Sequence, residues 1–306
     1  MKKNLFLIGA MLLHGCKAKS SAAEASAATP AAIRSAVTGG NALAVSIDAK
    51  SALHPVNRRI LGHNIQWVDF GDDMFNSAGE PKPNMLKLAK DMGTSSIRFL
   101  GGLQSDTYHW ERGMGLLTAR GMNEHANARR MQTNIVGTQE FLELCVKLDA
   151  VPTLTVNMAS GTAEEAANWV RRVNIERVMS SQTGQPLPKV RLWELGNEPY
   201  LKPEEQPSLW MSPQVFRERA LAFAQAMKAV DPSIELAIPL TSDKRNGNWA
   251  TPYQGFTKEV MKAPIPGVTH VSLHNAYVPY GMDKPYTADQ IYWGAMGGAR
   301  SVAEDL

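Results

Sequence analysis

From about residue 43 onward, short apolar runs alternate with stretches whose apolar residues recur at helical spacing. Residues 59–65 predict a first strand. A helix follows over 83–92, with Met85, Leu88, Ala89 and Met92 on one face and Gly93 as its stop. Residues 96–100 predict a second strand that runs into Gly101 and Gly102. A long polar loop extends from there to about residue 136. The next helix covers 138–149, where Phe141, Leu144, Cys145 and Leu148 share a face, which makes Cys145 a core thiol. Residues 151–157 predict strand three. Thr162 and Glu165 form a capping box for a helix whose face is Ala166, Trp169, Val170 and Val173. Residues 189–195 predict strand four. Ser212 and Pro213 start the clearest helix, with Phe216, Ala220, Phe223, Met227 and Val230 in register and Asp231-Pro232 as its close. Residues 234–238 and 267–273 predict strands five and six, and Thr287 and Gln290 open a last helix.

Repeated strand-helix units imply an α/β fold with a parallel sheet covered by helices. No Gly-x-Gly-x-x-Gly follows the first strand and no Gly-x-x-x-x-Gly-Lys occurs, so nucleotide-binding doubly wound folds lose their main support. The remaining architecture is a (β/α)8 TIM barrel, which carries its functional residues at the C-terminal ends of the strands. Polar residues gather at those ends: His63 and Asn64 after strand one, Asn157 after three, Asn197 and Glu198 after four, His274 after six. Only about six of the eight βα units are recognisable, so residues 43–306 are predicted to hold a C-terminally truncated barrel.

Composition narrows the partners. The 306 residues are 44% hydrophobic and 20% charged, ordinary for a globular chain. A formal charge of +3, with arginine pairs scattered at 58–59, 129–130 and 171–172, gives no nucleic-acid footprint. No apolar run reaches the ~18 residues of a membrane-spanning helix. The N-terminus is a targeting signal: basic Lys2 and Lys3, an apolar run over 5–13, then Leu13-His14-Gly15-Cys16. This pattern resembles a bacterial lipoprotein signal over 1–15, with Cys16 as the lipidated first residue of the mature chain. Plain secretion, with cleavage within the alanine-rich stretch 22–28, is the alternative. Residues 16–42, rich in Ala and Ser, form a tether. The expected location is the bacterial cell envelope, with membrane contact only through the lipid anchor.

The sharpest chemical feature is WELGNEPY at 193–200. Glu198 is either a surface carboxylate in a turn or a proton-transfer group, and its place at the end of a buried strand favours the second. Glycosidic cleavage needs such an acid together with a second carboxylate across the scissile bond. Alternation along their strands puts Arg98 and Glu194 inside the barrel, where they could pair as structural support or meet the sugar directly. Trp67, Trp110 and Trp210 fall near strand-end loops, as stacking platforms for sugar rings or as ordinary packing. His270 and His274 are four apart on a strand, and no His-Glu-x-x-His or Gly-x-Ser-x-Gly occurs, so neither zinc nor a serine nucleophile is implied.

Five segments in order resemble clan A retaining glycoside hydrolases, specifically the α-L-arabinofuranosidase family. They are GHNIQW at 62–67, RFLGG at 98–102 continuing to YHWERGMG at 108–115, Gly137-Thr138 with VNMASGTAEEAA at 156–167, WELGNEPY at 193–200, and SLHNAY at 272–277. The resemblance implies Glu198 as general acid/base, Asn197 as partner of the sugar 2-hydroxyl, and His274 and Tyr277 as positioners of nucleophile and substrate. Asn64, Gln66, Arg98 and Trp110 belong to the implied carbohydrate site, and no metal or cofactor is called for. Three positions depart from the family pattern. Gln66 replaces a Glu, Leu103 replaces an Asn, and Tyr277 stands three residues after His274 instead of two.

The family's nucleophile lies at the end of strand seven. The late acids here, Glu259, Asp283, Asp289, Glu304 and Asp305, sit at no recognisable strand end. The nucleophile is therefore expected beyond the chain end. Two further readings stand beside an exported arabinofuranosidase-like hydrolase. One is a heparanase-like β-glucuronidase of the same clan. The other, suggested by Gln66 and Leu103, is a non-catalytic lipid-anchored glycan-binding protein. A purely structural envelope lipoprotein would leave the strand-end polar residues unexplained.

Overall fold

The computed structural model of the chain describes residues 55, 57–201, 207–241, 255–274, 287 and 289. Strand β1 (Gly62–Ile65) leads through helix α1 (Pro83–Asp91) to β2 (Ser96–Phe99). A two-stranded hairpin, β3 (Met122–His125) and β4 (Arg130–Thr133), precedes α2 (Thr138–Leu148) and β5 (Val151–Val156). Then come α3 (Ala163–Val170), β6 (Leu192–Leu195), α4 (Pro213–Val230), β7 (Glu235–Leu240), α5 (Phe256–Val260) and β8 (His270–Leu273). Among the described residues six strands form one sheet in the order β1-β2-β5-β6-β7-β8, and every pair is parallel. These are six strands of the expected barrel, each joined to the next by a helical crossover.

The two faces of this sheet differ in chemistry. Ile97, Phe99, Leu154, Val156, Trp193 and Leu195 point outward and are buried under the helices. The alternate residues Arg98, Thr153, Thr155, Glu194, His270 and Ser272 point into the barrel and are buried as well. Register fixes the inward layer: Asn64 stands beside Arg98, Arg98 beside Thr153, Thr155 beside Glu194, and Pro239 beside Ser272. A parallel sheet buried on both faces normally reads as continuous apolar sequence. Here one face is polar, and its buried side chains pair with one another across the interior.

Local signals explain most boundaries. The Thr162 hydroxyl accepts from the Glu165 N–H at 3.1 Å and caps α3, and the Ser212 hydroxyl accepts from Val215 at 3.3 Å and caps α4. Past Val170 the chain continues as a wider π-type turn over Arg171–Arg177. Asn174 within it is a buried hub. It donates to the Val190 carbonyl at 2.9 Å and to Asp231 at 2.8 Å, and accepts from the Val190 N–H at 2.8 Å. One amide thus ties the end of the α3 segment to the entry of β6 and the exit of α4. Between sheet and helices lies an aromatic layer in which Trp169 meets Trp193 edge-on at 5.6 Å and Phe99 stacks on Phe141 at 5.0 Å. Cys145 is buried there, and burial pushes its thiol up.

Two sequence expectations are corrected. The polar loop to residue 136 contains the hairpin, which alternation does not reveal because its inward face is itself polar. Asn123, fully buried, donates to Asn134 and His109 and accepts from the His109 N–H, so hydrogen bonds take the place of apolar burial. On α1 the inward face carries Ala89 and Leu86, while Leu88 and Met92 are exposed. The signal segment, Cys16, the tether and all but two residues of the predicted last helix lie outside the described residues.

Replacing Asn174 with Ala leaves Asp231 and two Val190 backbone groups without their buried partner. The expected loss is about 3 kcal/mol, read as a lower urea midpoint at unchanged slope.

Candidate active site

Arg98 of β2 and Glu194 of β6 meet inside the barrel as an ion pair between the guanidinium Nε and Oε2, both side chains almost fully buried. The Glu194 carboxylate is completely engaged. Thr155 donates its hydroxyl to Oε2 at 3.0 Å and His274 donates Nε2–H to Oε1 at 3.1 Å. Burial alone would raise Glu194. The Arg98 charge first, and the His274 contact next, outweigh it and hold the carboxyl well below the usual carboxylate range.

The rest of the guanidinium orders the neighbouring strand ends. Its Nη1 donates to Asn64 Oδ1 and its Nη2 to Asn197 Oδ1, each at 3.0 Å. A guanidinium only donates, so the Asn197 oxygen must face Arg98. The Asn197 NH2 group then points toward Glu198 Oε2, 3.5 Å away.

Glu198 follows β6 by three residues, on a turn that the sequence makes sharp. Gly196 has φ +78°, and a Cβ there would stand 3.0 Å from the Met158 Cβ, so the position needs glycine on both counts. Glu198 itself has φ +43°, an uncommon left-handed conformation for a residue with a side chain. Its side chain is 30% exposed, and Oε1 lies 3.5 Å from His274 Nδ1. His274 therefore bridges a buried carboxylate and an accessible one. Burial would depress this imidazole, but hydrogen bonds to Glu194 and Glu198 and the Glu194 charge carry it up to about 9. The ring is an imidazolium at neutral pH, with both N–H groups directed at carboxylates.

A third carboxyl closes the cluster from the loop after β2. Asp106 is 3% exposed, and burial pushes it well above its ordinary range, with the Asn197 backbone and the Arg98 charge opposing and Glu198 and Glu194 reinforcing the shift. Beyond it, Thr107 and His109 border a cleft of about 300 Å³ also walled by Arg112, Glu124 and Ser160. All these walls belong to segments that follow strand ends or to the hairpin, so the cleft opens on the same face as Glu198.

Of the residues expected from sequence, the structure brings Asn64, Arg98, Asn197, Glu198 and His274 into one hydrogen-bonded cluster. Gln66 sits at its edge, with its backbone N–H on Asp72 at 2.9 Å and its amide beside Gly102. Of the two roles open to Trp110, sugar platform or packing, the structure shows packing. Its ring stacks on Trp169 at 6.2 Å, its indole N–H donates to the Glu165 carbonyl, and it is buried. Trp67 is likewise packing, fully buried with its N–H on the Gln104 carbonyl. Tyr277 lies outside the described residues, and Glu259 is on α5 paired with Lys262 at 2.6 Å. Sequence reading overlooked Thr155, Ser272 and Asp106. The first two share the inward parity of Glu194 and His274 and were legible; Asp106 sits in a loop without period.

The family model described as the alpha-L-arabinofuranosidase 1 domain matches residues 88–277. The chain is 32% identical over 176 residues to alpha-L-arabinofuranosidase C of Emericella nidulans, covering 56% of this chain and 34% of that one. It is 24% identical over 251 residues to an intracellular exo-alpha-(1->5)-L-arabinofuranosidase of Halalkalibacterium halodurans, covering 76% and 48%. Among solved structures, the arabinose complex of alpha-L-arabinofuranosidase from Thermotoga maritima superposes with a TM-score of 0.60 at 25% identity, over 73% of this chain and 47% of that one. The chain thus spans between a third and a half of the length of these relatives.

The raised His274 value has a sign that can be measured. Its protonated ring stabilises the fold fully below the ordinary histidine value of 6.5, and that contribution fades as pH climbs through about 9. Ring titration by NMR, assigned with a His274→Gln variant, should show a midpoint near 9 that drops toward the ordinary range in Glu194→Gln. A parent midpoint near 6.5 would contradict the bridging geometry.

Proposed function

The chain belongs to the α-L-arabinofuranosidase family, whose domain model spans residues 88–277, and from that premise we propose that it serves an exported glycoside hydrolase acting on arabinofuranosyl-bearing oligo- or polysaccharide, with Glu198 as general acid/base. The observation that carries this reading is the placement of Glu198. It is a partly exposed carboxyl at a strand end, on a turn of fixed geometry, flanked by an imidazolium and an amide NH2. The polar cleft among the loops that follow the strands supports a carbohydrate partner, since hydroxyl, guanidinium and carboxylate walls suit a polyhydroxylated chain.

The chemistry follows the retaining sequence. Glu198 protonates the departing glycosidic oxygen while a second carboxylate attacks the anomeric carbon, and Glu198 then takes a proton from the incoming water. The attacking group is not among the described residues. Glu194 is closed off by Arg98, Thr155 and His274, and Asp106 is buried. Asn197, already oriented by Arg98, is placed to receive a sugar 2-hydroxyl beside Glu198. Arg98 and Glu194 act through these neighbours by fixing their positions. The basic and apolar segments ahead of Cys16 support export, with the lipid on that cysteine as the anchor.

Glu198→Gln in the protein as its gene encodes it should lower kcat by about 10²–10⁴ on an alkyl α-L-arabinofuranoside, with a much smaller loss on a nitrophenyl one, whose departure needs no proton. Equal activity of variant and parent on the alkyl glycoside would overturn the assignment. No hydrolysis by the parent, together with calorimetric binding of arabino-oligosaccharides, would replace it with a glycan-binding function.

A further inference from the structure

His274 reaches two carboxylates from the end of β8, and its own strand helps to aim it. Its backbone N–H donates to the Leu240 carbonyl at 3.1 Å, one residue past the ladder that pairs β7 with β8. From there the ring spans Glu194 Oε1, 3.1 Å from Nε2, and Glu198 Oε1, 3.5 Å from Nδ1. A further contact is made at Nε2, where Ser272 Oγ stands 2.9 Å away. We infer that Ser272 is a positioning residue for Glu198: its hydroxyl shares the Nε2–H of His274 with Glu194 and so fixes the angle of the ring that carries Nδ1 to the Glu198 carboxyl. The inference rests on the acid/base reading of Glu198 and adds a residue to it.

The position of Ser272 gives a hydroxyl no reason to be there except this ring. Ser272 is 7% exposed, on the inward face of β8, and its register partner on β7 is Pro239. A proline side chain neither donates nor accepts, so no cross-strand side-chain hydrogen bond satisfies the hydroxyl. Burying an unmatched hydroxyl costs stability, and alanine would fill the place without that cost. The hydroxyl is matched instead by the imidazole two residues along its own strand.

Two acceptors do what one cannot. The imidazolium only donates, so Ser272 Oγ and Glu194 Oε1 both accept from the single Nε2–H, as a three-centre bond. Glu194 comes from β6 and Ser272 from β8. With Glu194 alone, the ring would still be able to turn about the line from Nε2 to the carboxylate. A second acceptor on the ring's own strand removes that freedom, because Nε2–H must then point between two oxygens. The direction of Nδ1 follows from it. The contact of Nδ1 with Glu198 is the longest of the three, and a small rotation of the ring would lose it first.

The test uses the protein as its gene encodes it, with histidine labelled for NMR. Ser272→Ala removes the acceptor and Ser272→Thr keeps it. The charges around the ring are the same in Ser272→Ala, so His274 should still titrate near 9, while its Nδ1–H resonance should be lost to exchange with water. On an alkyl α-L-arabinofuranoside kcat should fall about three- to tenfold with KM little changed, and by less than about twofold on a nitrophenyl one. Ser272→Thr should recover the resonance and most of the alkyl rate. An unchanged Nδ1–H resonance, or an alkyl rate that falls no more than the nitrophenyl rate, would overturn the inference. So would a midpoint that drops toward the ordinary histidine value, since Ser272 would then support the charge of the ring and not its angle. If Ser272→Ala does not fold, Ser272→Gly is read by the same criteria. Glu198→Gln run alongside separates the failures. Leaving-group dependence in Glu198→Gln but not in Ser272→Ala sinks this inference alone, while its absence in Glu198→Gln sinks the acid/base reading.

Discussion

Everything at the strand ends depends on one buried ion pair, Arg98 with Glu194. Two charges inside a barrel are a liability unless each is matched and well hydrogen-bonded. Here the geometry meets that condition. Glu194 receives Arg98, Thr155 and His274, and Arg98 gives its remaining nitrogens to Asn64 and Asn197. The pair thus joins β1, β2, β5 and β6 and the end of β8 through side chains alone, across the interior of the sheet. Without Glu194 the guanidinium would be an unpaired buried cation, and without Arg98 the amides of Asn64 and Asn197 would lose their orientation.

That order meets solvent at a single carboxyl of the cluster. Glu194 and Asp106 are sealed, while Glu198 keeps its side chain 30% exposed. The difference is made by the turn after β6, in which Gly196 and the left-handed Glu198 lift one carboxyl out of the layer that contains the other. His274 connects the two, so the accessible carboxyl is set against a cation whose protonation Glu194 secures. Structural and chemical roles are separated by three residues of sequence.

How much of this was legible beforehand follows from the physics of each segment. The strands were visible from their outward apolar residues, and the pairing of Arg98 with Glu194 from parity along β2 and β6. Helices with caps and a strong apolar stripe, such as the one begun by Ser212 and Pro213, were placed within a residue or two. The hairpin over 122–133 was invisible because Asn123 and Asn134 replace apolar contacts with hydrogen bonds. Trp110 was left open between packing and stacking because an aromatic near a strand end looks the same whether it faces a sugar or Trp169. Asp106 left no trace in any period, since it lies buried in a 3₁₀ turn where neither helix nor strand spacing applies.

The most direct test of the central claim is a double-mutant cycle on Arg98 and Glu194, followed by urea unfolding of Arg98→Met, Glu194→Leu and the combined variant. If the pair organises the site, each single change leaves an uncompensated buried charge. The cycle should then return a coupling of about 2–3 kcal/mol, with the double variant more stable than the sum of the singles predicts. Losses that add to within about 0.5 kcal/mol would show two independent residues, and the cluster would need another organising contact.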